Sequence, residues 1–377
     1  MLTHYIESIR PGGGPRGYLY NLSLAIDEFG SNSIQVIAEE RSEARSNSKS
    51  KQYNVLDLIL RIFYFLIVGY SKRHIISDDK YEELKKADVV VFHRASHLYS
   101  YLKKNDFSKG QKIGIMPHNP MSPAEESVEV LCSNISPKFK FLARILLKVM
   151  VKQEIKIFEQ ADFIIAPNRN ACDAYYKDFP RIKSLFSKLN FSYLETGVKK
   201  CTINKSKSVI LQELGINNST PKIGYFGRLE SVKGYDKYKK LASTTPDKYF
   251  ISAGIGSLAS SDSSVHELGW RTDVHDIINA VDIIIVPNKV AYFDLIILEC
   301  LSLGKTVITS NVGGSKLLNC YGVLTYENYP ELESLISKPI NELIRDESVV
   351  KKEFDKRFSL KSFLNSYEKL EGSLKNG

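Results

Sequence analysis

The stretch KIGYFGRLESVKGYD, Lys222–Asp236, indicates how the second half of the chain folds. It opens on an apolar run typical of a buried strand, and Gly227 then allows a tight turn beside a ligand. Arg228 can direct two N–H groups at two phosphate oxygens, and Lys233 adds a compact second positive charge. Such a strand end suits a diphosphate. The same residues also fit a surface loop with two ordinary cations, and local composition alone does not separate these alternatives.

The same alternation of strand and helix runs along the whole chain. Short apolar runs closed by Gly, Pro or a polar residue predict strands within residues 33–40, 87–94, 111–118, 161–168, 221–227, 248–254, 282–288 and 305–311. Longer segments with helical spacing separate them. This order is typical of an α/β protein whose parallel sheets are covered by helices on both faces. Ligands of such doubly wound sheets bind at the carboxyl ends of the strands.

Length and composition bound the class of protein. A chain of 377 residues exceeds the size of most single cores, so we expect two domains, 1–200 and 201–355. The basic segment 198–208 is the predicted linker, and 356–377 a last helix. The net charge of +9 favours an anionic partner: a nucleotide, nucleic acid or an acidic membrane.

Cysteine usage and hydropathy predict a cytoplasmic protein. Five cysteines, without a C-x-x-C pair, suit a reducing compartment, and no secretory leader is apparent at the start. The apolar segment Asn54–Tyr70 is interrupted by Asp57 and Arg61, which argues against a membrane span. A buried helix and a helix lying on a membrane surface both remain open for it.

A basic ridge is predicted on one long helix between residues 138 and 162. Its cations recur at every fourth position: Lys140, Arg144, Lys148, Lys152 and Lys156. The ridge is either an ordinary solvated helix face or a surface that attracts anionic lipid.

The segment from Asn288 to Lys316 carries a second group of candidates. Asp294 is predicted to begin a helix that holds Glu299 in its second turn. A carboxylate there can accept both hydroxyls of a ribose, or it is a simple surface acid. Gly304 suits the end of this helix.

PGGGPRG near the start contains Gly12, Gly14 and Gly17, the spacing of a dinucleotide-binding loop, and the acid pair 39–40 follows it. This pattern alone would predict a nicotinamide enzyme. Two observations argue against that: Arg10 and Pro11 separate Ile9 from the loop, so no apolar strand enters the first glycine, and Pro15 removes an amide donor.

Taken together, these motifs resemble the retaining glycosyltransferases of the GT-B fold, in particular the family-4 type. The family's G-R-L-x-x-x-K-G matches residues 227–234, its Gly pair matches SAGIG, and its last box is met by FDLIILECLSLGKTV. The glycine loop and YLETGVK match in the first half. The resemblance covers nearly the whole chain and implies two Rossmann-like doubly wound domains facing a central cleft, the last helix packing back on the first.

The resemblance also implies roles for single residues. Arg228 and Lys233 would bind the donor diphosphate and stabilise the leaving group, and Glu299 would hold the ribose. The remaining donor-binding positions are Gly13, Gly14, Gly227, Phe293 and Leu295. Gly13 and Gly14 would approach the diphosphate and the transferred sugar from the other side of the cleft. His118 stands where many members have a His near the sugar and acceptor, with His93 as an alternative.

One departure affects the sugar site. The family's E-x7-E places its first Glu eight residues before Glu299, where this chain has Ala291, and Asp294 stands where Gly is usual. We expect Asp294 to replace the lost carboxylate as a catalytic-site residue.

The function implied is retaining transfer of a hexose from a nucleoside-diphosphate sugar, expected to be UDP-linked. The expected acceptor is a saccharide, lipid-linked, in cell-surface polysaccharide synthesis. No cofactor and no metal is expected, since no D-x-D motif occurs, and SDDK at 77–80 reads as a polar turn. We expect a cytoplasmic protein, peripheral on the inner face of the membrane, without a nucleic-acid partner. The alternatives are a nucleotide-sugar epimerase or hydrolase, a nicotinamide oxidoreductase and a non-enzymatic nucleotide-binding module.

Overall fold

The computed structural model describes residues 1–42, 60, 63, 76–104, 110–132, 140–217, 219–260 and 264–376. The chain forms two units. Unit 1 comprises Met1–Glu195 and Leu364–Gly377, and unit 2 comprises Thr196–Phe363. Segment 198–208, predicted as a linker, therefore belongs to unit 2, where Val198 N donates to Phe358 O at 2.9 Å.

Unit 1 contains a parallel sheet in the order β2-β1-β3-β4-β5-β6. Its strands are β1 Leu2–Ile9, β2 Ile34–Arg41, β3 Val89–Phe92, β4 Lys112–Ile115, β5 Phe163–Ala166 and β6 Phe191–Tyr193. Its helices are α1 Gly14–Phe29, α2 Asp78–Leu84, α3 Ala95–Lys104, α4 Pro123–Cys132, α5 Lys140–Phe158, α6 Pro180–Phe186 and the greater part of α14 Leu360–Asn376. The strand order reverses between β1 and β3, and this reversal places the ligand edge of the sheet at the ends of these two strands.

Unit 2 repeats this plan in the order β12-β11-β10-β7-β8-β9. Its strands are β7 Lys222–Phe226, β8 Tyr249–Ala253, β9 Val265–Glu267, β10 Ile283–Val286, β11 Thr306–Ser310 and β12 Val323–Tyr326. Its α-helices are α7 Lys207–Glu213, α8 Tyr235–Thr244, α9 Val274–Ala280, α10 Leu295–Ser302, α11 Tyr329–Ile336, α12 Ile340–Leu343 and α13 Glu347–Arg357, with 3₁₀ turns at Ser231–Lys233 and Gly313–Leu317. The reversal falls between β7 and β10.

Residue type explains the central strands. Ile283–Val286 and Val89–Phe92 are entirely apolar and entirely buried, as strands covered on both faces must be. The predicted α/β class with two doubly wound sheets is confirmed.

Two sequence interpretations were wrong at the level of single elements. A strand does enter the glycine loop: β1 runs from Leu2 to Ile9 and pairs with both β2 and β3. It was missed because Thr3, His4 and Ser8 interrupt its apolar pattern. Asp78 and Asp79 open helix α2 and do not form a turn, and Asp78 lies 2.8 Å from Lys104 Nζ.

The last helix returns to unit 1. Tyr367 is fully buried there, and Lys112 Nζ donates to the Leu374 carbonyl at 2.6 Å. Helix α14 begins at Leu360, four residues after the predicted start at 356.

The basic ridge lies on helix α5, and Arg144, Lys148, Lys152 and Lys156 are exposed on it. Among the residues that the structure describes, no helix is long and apolar enough to cross a membrane. The segment Asn54–Tyr70 falls outside the described residues, apart from positions 60 and 63.

Candidate active site

The predicted diphosphate loop of unit 2 leaves the sheet at its reversal point. Strand β7 is buried along its length, and Gly227 N donates to Ala253 O at the end of β8, at 3.1 Å. Arg228 follows with half of its side chain exposed and lies 3.0 Å from Glu230 Oε2. The Arg228 guanidinium is therefore paired with the Glu230 carboxylate at the edge of the sheet.

Lys233 is placed by a glycine that no other residue could replace. Gly234 has φ 70°, and a Cβ built on it would lie 1.8 Å from the Pro287 carbonyl oxygen after β10. The backbone of the 3₁₀ turn therefore packs directly on the next strand end. Lys233 Nζ reaches Asp294 Oδ1 at 2.6 Å, and both side chains are largely buried.

Asp294 is the N-cap residue of helix α10, as the sequence predicted. Its second carboxylate oxygen accepts a hydrogen bond from Asn288 Nδ2. The carboxylate thus joins the loops after β7 and β10. Ala291, the position of the missing Glu, is buried, and its carbonyl accepts from Gly314 N at 3.0 Å.

The other two donor-binding candidates flank this carboxylate. Phe293 packs at the edge of the core of unit 2, and Leu295 is the first residue of α10 and is buried. Residues 292 and 293 also lie against Gly314, where a Cβ would stand 1.7 Å from the Tyr292 carbonyl oxygen. The loop before α10 is therefore closely packed on the loop after β11.

Glu299 lies on α10 and contacts His275 of α9, a partner that the sequence analysis did not predict. His275 Nε2 is 3.4 Å from Glu299 Oε2. Burial alone would lower the pKa of His275, but its hydrogen bonds to Cys201 and Glu299 outweigh burial and raise that pKa to about 9. Glu299 is therefore held beside a cationic imidazole at neutral pH.

The segment before α7 is hydrogen-bonded to helices α9 and α10 near Glu299. Cys201 N donates to Ser302 Oγ at 3.1 Å, and Asn204 N donates to Asp276 Oδ1 at 2.7 Å. Within the described residues, the side-chain ligand atoms of Cys201, His275 and Glu299 lie within 4.8 Å of one another, a donor set that zinc accepts. None of these contacts is encoded in a local motif, so spacing could not have predicted them.

Unit 1 places its candidates at the carboxyl edge around β1. Helix α1 has Gly13 as its N-cap and Gly14 as its first residue, and a Cβ built on either would meet no atom within 4 Å. Gly17 is different, because a Cβ there would lie 1.6 Å from Gly12 O. The loop is therefore packed tightly at Gly17 and open at Gly13 and Gly14.

A charged cluster stands at the end of β1 and was not predicted. Glu7 Oε1 lies 2.8 Å from both Arg16 and Arg94, and Glu7 Oε2 lies 3.2 Å from His97 Nε2. Burial opposes ionisation of Glu7, but the His97 hydrogen bond and the two guanidinium groups hold its pKa well below the usual range. The cluster fixes the start of α1 to the ends of β1 and β3.

His118 and His93 are neighbours in unit 1, so the two alternatives of the sequence are parts of one arrangement. His93 Nδ1 lies 2.7 Å from His118 Nε2, and His93 Nε2 lies 2.9 Å from His4 Nδ1. His118 adopts φ 59°, a left-handed conformation that is uncommon for a side-chain-bearing residue and occurs at functional positions. His4 was missed because it occupies the interior of an unrecognised strand.

The predicted residues therefore fall into two groups. Unit 2 joins Lys233 to Asp294 and carries Arg228, Gly227, Phe293, Leu295 and Glu299 on the loops and helix around the same reversal point. Unit 1 carries Gly13, Gly14 and His118 on its own carboxyl edge.

Comparison with known proteins identifies unit 2 first. Residues 220–338 match the family model described as glycosyl transferases group 1. An uncharacterized 42.6 kDa protein in the cps region of Klebsiella pneumoniae is 35% identical over 135 residues, which are 32% of this chain and 36% of that protein. The match spans about a third of the length of that curated relative.

Solved structures resemble the whole chain. Sucrose-phosphate synthase (tll1590) from Thermosynechococcus elongatus has a TM-score of 0.65 at 13% identity, covering 100% of this chain and 99% of that one. Anabaena Alr3699/HepE in complex with UDP-glucose has 0.60 at 15% identity, with 99% of each chain covered. WaaG, a glycosyltransferase involved in lipopolysaccharide biosynthesis, has 0.55 at 14% identity, with 100% of each chain covered.

At these identities the structural neighbours establish the fold alone, and the family match includes the predicted diphosphate loop and helix α10. Residues 220–338 therefore match the glycosyl transferases group 1 family, and the fold of the chain is GT-B.

Proposed function

We propose that the chain is a retaining hexosyltransferase that takes a sugar from a UDP-linked donor and passes it to a lipid-linked saccharide in cell-surface polysaccharide synthesis. The observation that carries the proposal is the Lys233–Asp294 ion pair at the reversal point of unit 2. It couples a cation suited to phosphate with a carboxylate suited to sugar hydroxyls, at the edge where doubly wound sheets bind ligands.

Donor binding separates this pair. A diphosphate presents more negative charge to Lys233 than a carboxylate does, and Arg228 can leave Glu230 to bind the same group in bidentate fashion. Asp294, released from Lys233, then accepts a hydroxyl of the sugar. In this way Asp294 supplies the carboxylate that the family has eight residues before Glu299.

The cations act on the leaving group. As the bond between the anomeric carbon and the diphosphate oxygen breaks, negative charge grows on that oxygen, and preorganised cations stabilise it most where it develops. The acceptor attacks from the same face, and its proton passes to the departing phosphate. No protein nucleophile and no divalent metal is needed, so we expect transfer to persist in EDTA.

Glu299 is proposed to bind the two ribose hydroxyls. His275 lies beside it and directs the carboxylate. The choice of UDP is supported by the bound UDP-glucose of the Anabaena structure, and the pathway by the cps-region relative and WaaG.

Unit 1 is proposed to receive the acceptor and the transferred sugar. Gly13 and Gly14 leave the loop before α1 open, and His118 lies at the end of β4. Arg144, Lys148, Lys152 and Lys156 form an exposed cationic face on α5 that suits anionic lipid head groups. A protein held at such a surface meets lipid-linked acceptors there.

The first experiment is calorimetric titration of UDP, GDP, ADP and NADH into the full chain. We expect UDP to bind and Lys233→Ala to weaken it by about 1.5–3 kcal/mol, the range of hydrogen bonds to charged groups. The matched control is Lys351→Ala, which removes an equivalent cation from an ion pair on the surface of α13. Equal affinity of UDP for Lys233→Ala and wild type, or binding of NADH alone, would contradict the proposal.

Product analysis separates transfer from the other reactions that this fold supports. With a UDP-sugar and a lipid-linked saccharide, we expect an α-configured product from an α-linked donor. Release of free sugar that is independent of acceptor would indicate a hydrolase, and a new UDP-sugar would indicate an epimerase.

A further inference from the structure

Three histidines of unit 1 form a continuous hydrogen-bonded chain from the interior to the ligand edge. His4 lies within β1, His93 follows β3, and His118 follows β4. The nitrogens of successive rings are 2.9 Å and 2.7 Å apart, so each link has hydrogen-bond length. His4 and His93 are fully buried, whereas His118 is partly exposed.

The three rings must agree on one direction. A neutral imidazole has one N–H donor and one acceptor nitrogen, and His93 uses both of its nitrogens within the chain. All N–H groups therefore run from His4 toward His118, or all run the opposite way. In the first case His118 carries its hydrogen on Nδ1, and in the second on Nε2.

The inner end of the chain selects the direction. Among the residues that the structure describes, none lies within hydrogen-bond distance of His4 Nε2, which is buried. The planes of the Tyr367 and His4 rings meet at an angle of 84°. The Tyr367 hydroxyl is hydrogen-bonded to the Tyr18 hydroxyl at 2.7 Å and does not bond to His4 Nε2. A buried N–H without a partner is rarer than a buried acceptor without one, so His4 Nε2 is the unprotonated nitrogen.

The chain as a whole is neutral. Burial lowers the pKa of His4 and of His118 to about 3, and the pKa of His93 falls well below its usual value for the same reason, with a smaller effect from its histidine neighbours. A neutral chain keeps the alternating donor and acceptor order that couples the tautomers, because no ring carries two N–H groups.

We propose that His4 and His93 are positioning residues that fix His118 as its Nδ1–H tautomer, so that His118 donates a hydrogen bond and does not act as a general base. The ligand it suits is an oxygen acceptor, a hydroxyl or phosphoryl oxygen of the bound saccharide or donor. The choice of ligand rests on the proposed function, whereas the choice of tautomer rests on the contacts of the three histidines.

The direct test is long-range ¹⁵N–¹H correlation spectroscopy of the full chain labelled at histidine, with His118→Gln and His93→Gln used to assign the signals. We expect Nδ1 of His4, His93 and His118 to be protonated and each Nε2 to be unprotonated at pH 7. Protonation of His118 at Nε2 would overturn the proposal. This result does not depend on finding the sugar donor.

The kinetic test compares two substitutions of His93. Gln can still donate to His118 Nε2 through its amide, whereas Leu of similar size cannot. We expect His93→Leu to lower kcat about 10-fold with little change in KM and to release His118 into both tautomers, and His93→Gln to restore both readouts.

Equal kcat for His93→Gln and His93→Leu, with both variants folded by circular dichroism, would reject the positioning role. Failure of the proposed function looks different: wild-type protein would show no transfer at all, while the tautomers would still be those expected.

Discussion

The candidate ligand-binding side chains at the carboxyl edges of the two units are of opposite kinds. At the edge of unit 2, Lys233 and Asp294 form a charged pair, and Glu299 lies beside a protonated His275. At the edge of unit 1, His4, His93 and His118 form an uncharged chain. The carboxyl edge of unit 1 also holds Arg16 and Arg94, whose guanidinium groups both pair with Glu7. The same sheet topology therefore presents a charged candidate pair in unit 2 and a chain of oriented neutral donors in unit 1.

The difference follows the chemistry proposed for each unit. A leaving diphosphate carries growing negative charge, which cations stabilise, whereas a sugar or acceptor hydroxyl is neutral and is oriented by hydrogen bonds. A cation at position 118 would also attract the diphosphate. A neutral His118 adds no such cation beside Arg16 and Arg94, which are already paired with Glu7, and this is a physical reason for keeping the three histidines uncharged.

The largest expected effect comes from the charged edge. Lys233→Ala should lower kcat by about 10²–10³-fold, the cost of removing one donor that stabilises transition-state charge. Steady-state transfer from UDP-sugar measures it, with Lys351→Ala as the control. Undiminished kcat at saturating donor would show that leaving-group stabilisation does not depend on Lys233.

In unit 1, by contrast, the exposed cations of helix α5 are proposed to bind anionic lipid. Lys148→Ala combined with Lys152→Ala should weaken binding to vesicles that contain anionic lipid by about 2 kcal/mol, or roughly 30-fold, because each cation contributes about 1 kcal/mol. Vesicle sedimentation measures this. The control variant, Lys103→Ala with Lys188→Ala, removes the same charge from exposed positions elsewhere. If it lost as much vesicle affinity, net charge alone and not the ridge on α5 would account for membrane binding.

Asp294 gives a smaller effect with two opposite signs. Asp294→Asn keeps the side-chain shape but removes the charge that competes with diphosphate for Lys233. We expect UDP to bind about 5-fold tighter and kcat to fall about 10-fold, since the sugar loses an ionised acceptor. Calorimetry and steady-state kinetics give the two numbers. If Asp294→Asn lowered both the affinity for UDP and kcat, the role of Asp294 would be limited to ordering the loop before α10.

Most of the charged edge could be predicted from sequence, because its residues other than His275 come in order within two short stretches. Gly227, Arg228 and Lys233 follow one strand, and Asp294 and Glu299 share one helix. Local spacing therefore carries their geometry. The family model matches residues 220–338, which include this stretch.

The neutral edge could not be predicted, because it depends on strand pairing. His4, His93 and His118 are far apart in sequence and meet only because β1, β3 and β4 are adjacent in the sheet. Strand β1 itself was missed, since its buried Thr3 and His4 break the apolar pattern. Cys201 and His275 escaped prediction for the same reason: the segment before α7 brings them to Glu299 through tertiary contacts.

The pH dependence of the free energy of unfolding tests whether the histidines of the neutral edge are uncharged in the folded chain. In the unfolded chain the histidines take up protons near pH 6.5, whereas folded His4 does so only at about 3. Between these values the unfolded state binds more protons, so the free energy of unfolding falls as pH falls, by about 1.4 kcal/mol per pH unit for each such histidine. Urea unfolding from pH 6 to pH 4.5 should show a shallower slope in His4→Phe by about that amount. An unchanged slope would mean that His4 is protonated in the folded chain.

His275 should depend on pH in the opposite sense. Its folded pKa of about 9 lies above the unfolded value, so its stabilising contribution is fully present below about pH 6.5 and is lost as pH rises toward 9. The slope should be about 1 kcal/mol per pH unit or less, because the pair with Glu299 is partly exposed to solvent. Trp270 is the only tryptophan and lies in unit 2, so its fluorescence during urea unfolding reports on the unit that contains His275. His275→Gln should remove the loss of stability between pH 7 and pH 9, while His4→Phe should leave it in place. If His275→Gln and His4→Phe showed the same change in the free energy of unfolding between pH 7 and pH 9, the contrast between a charged and a neutral edge would be wrong.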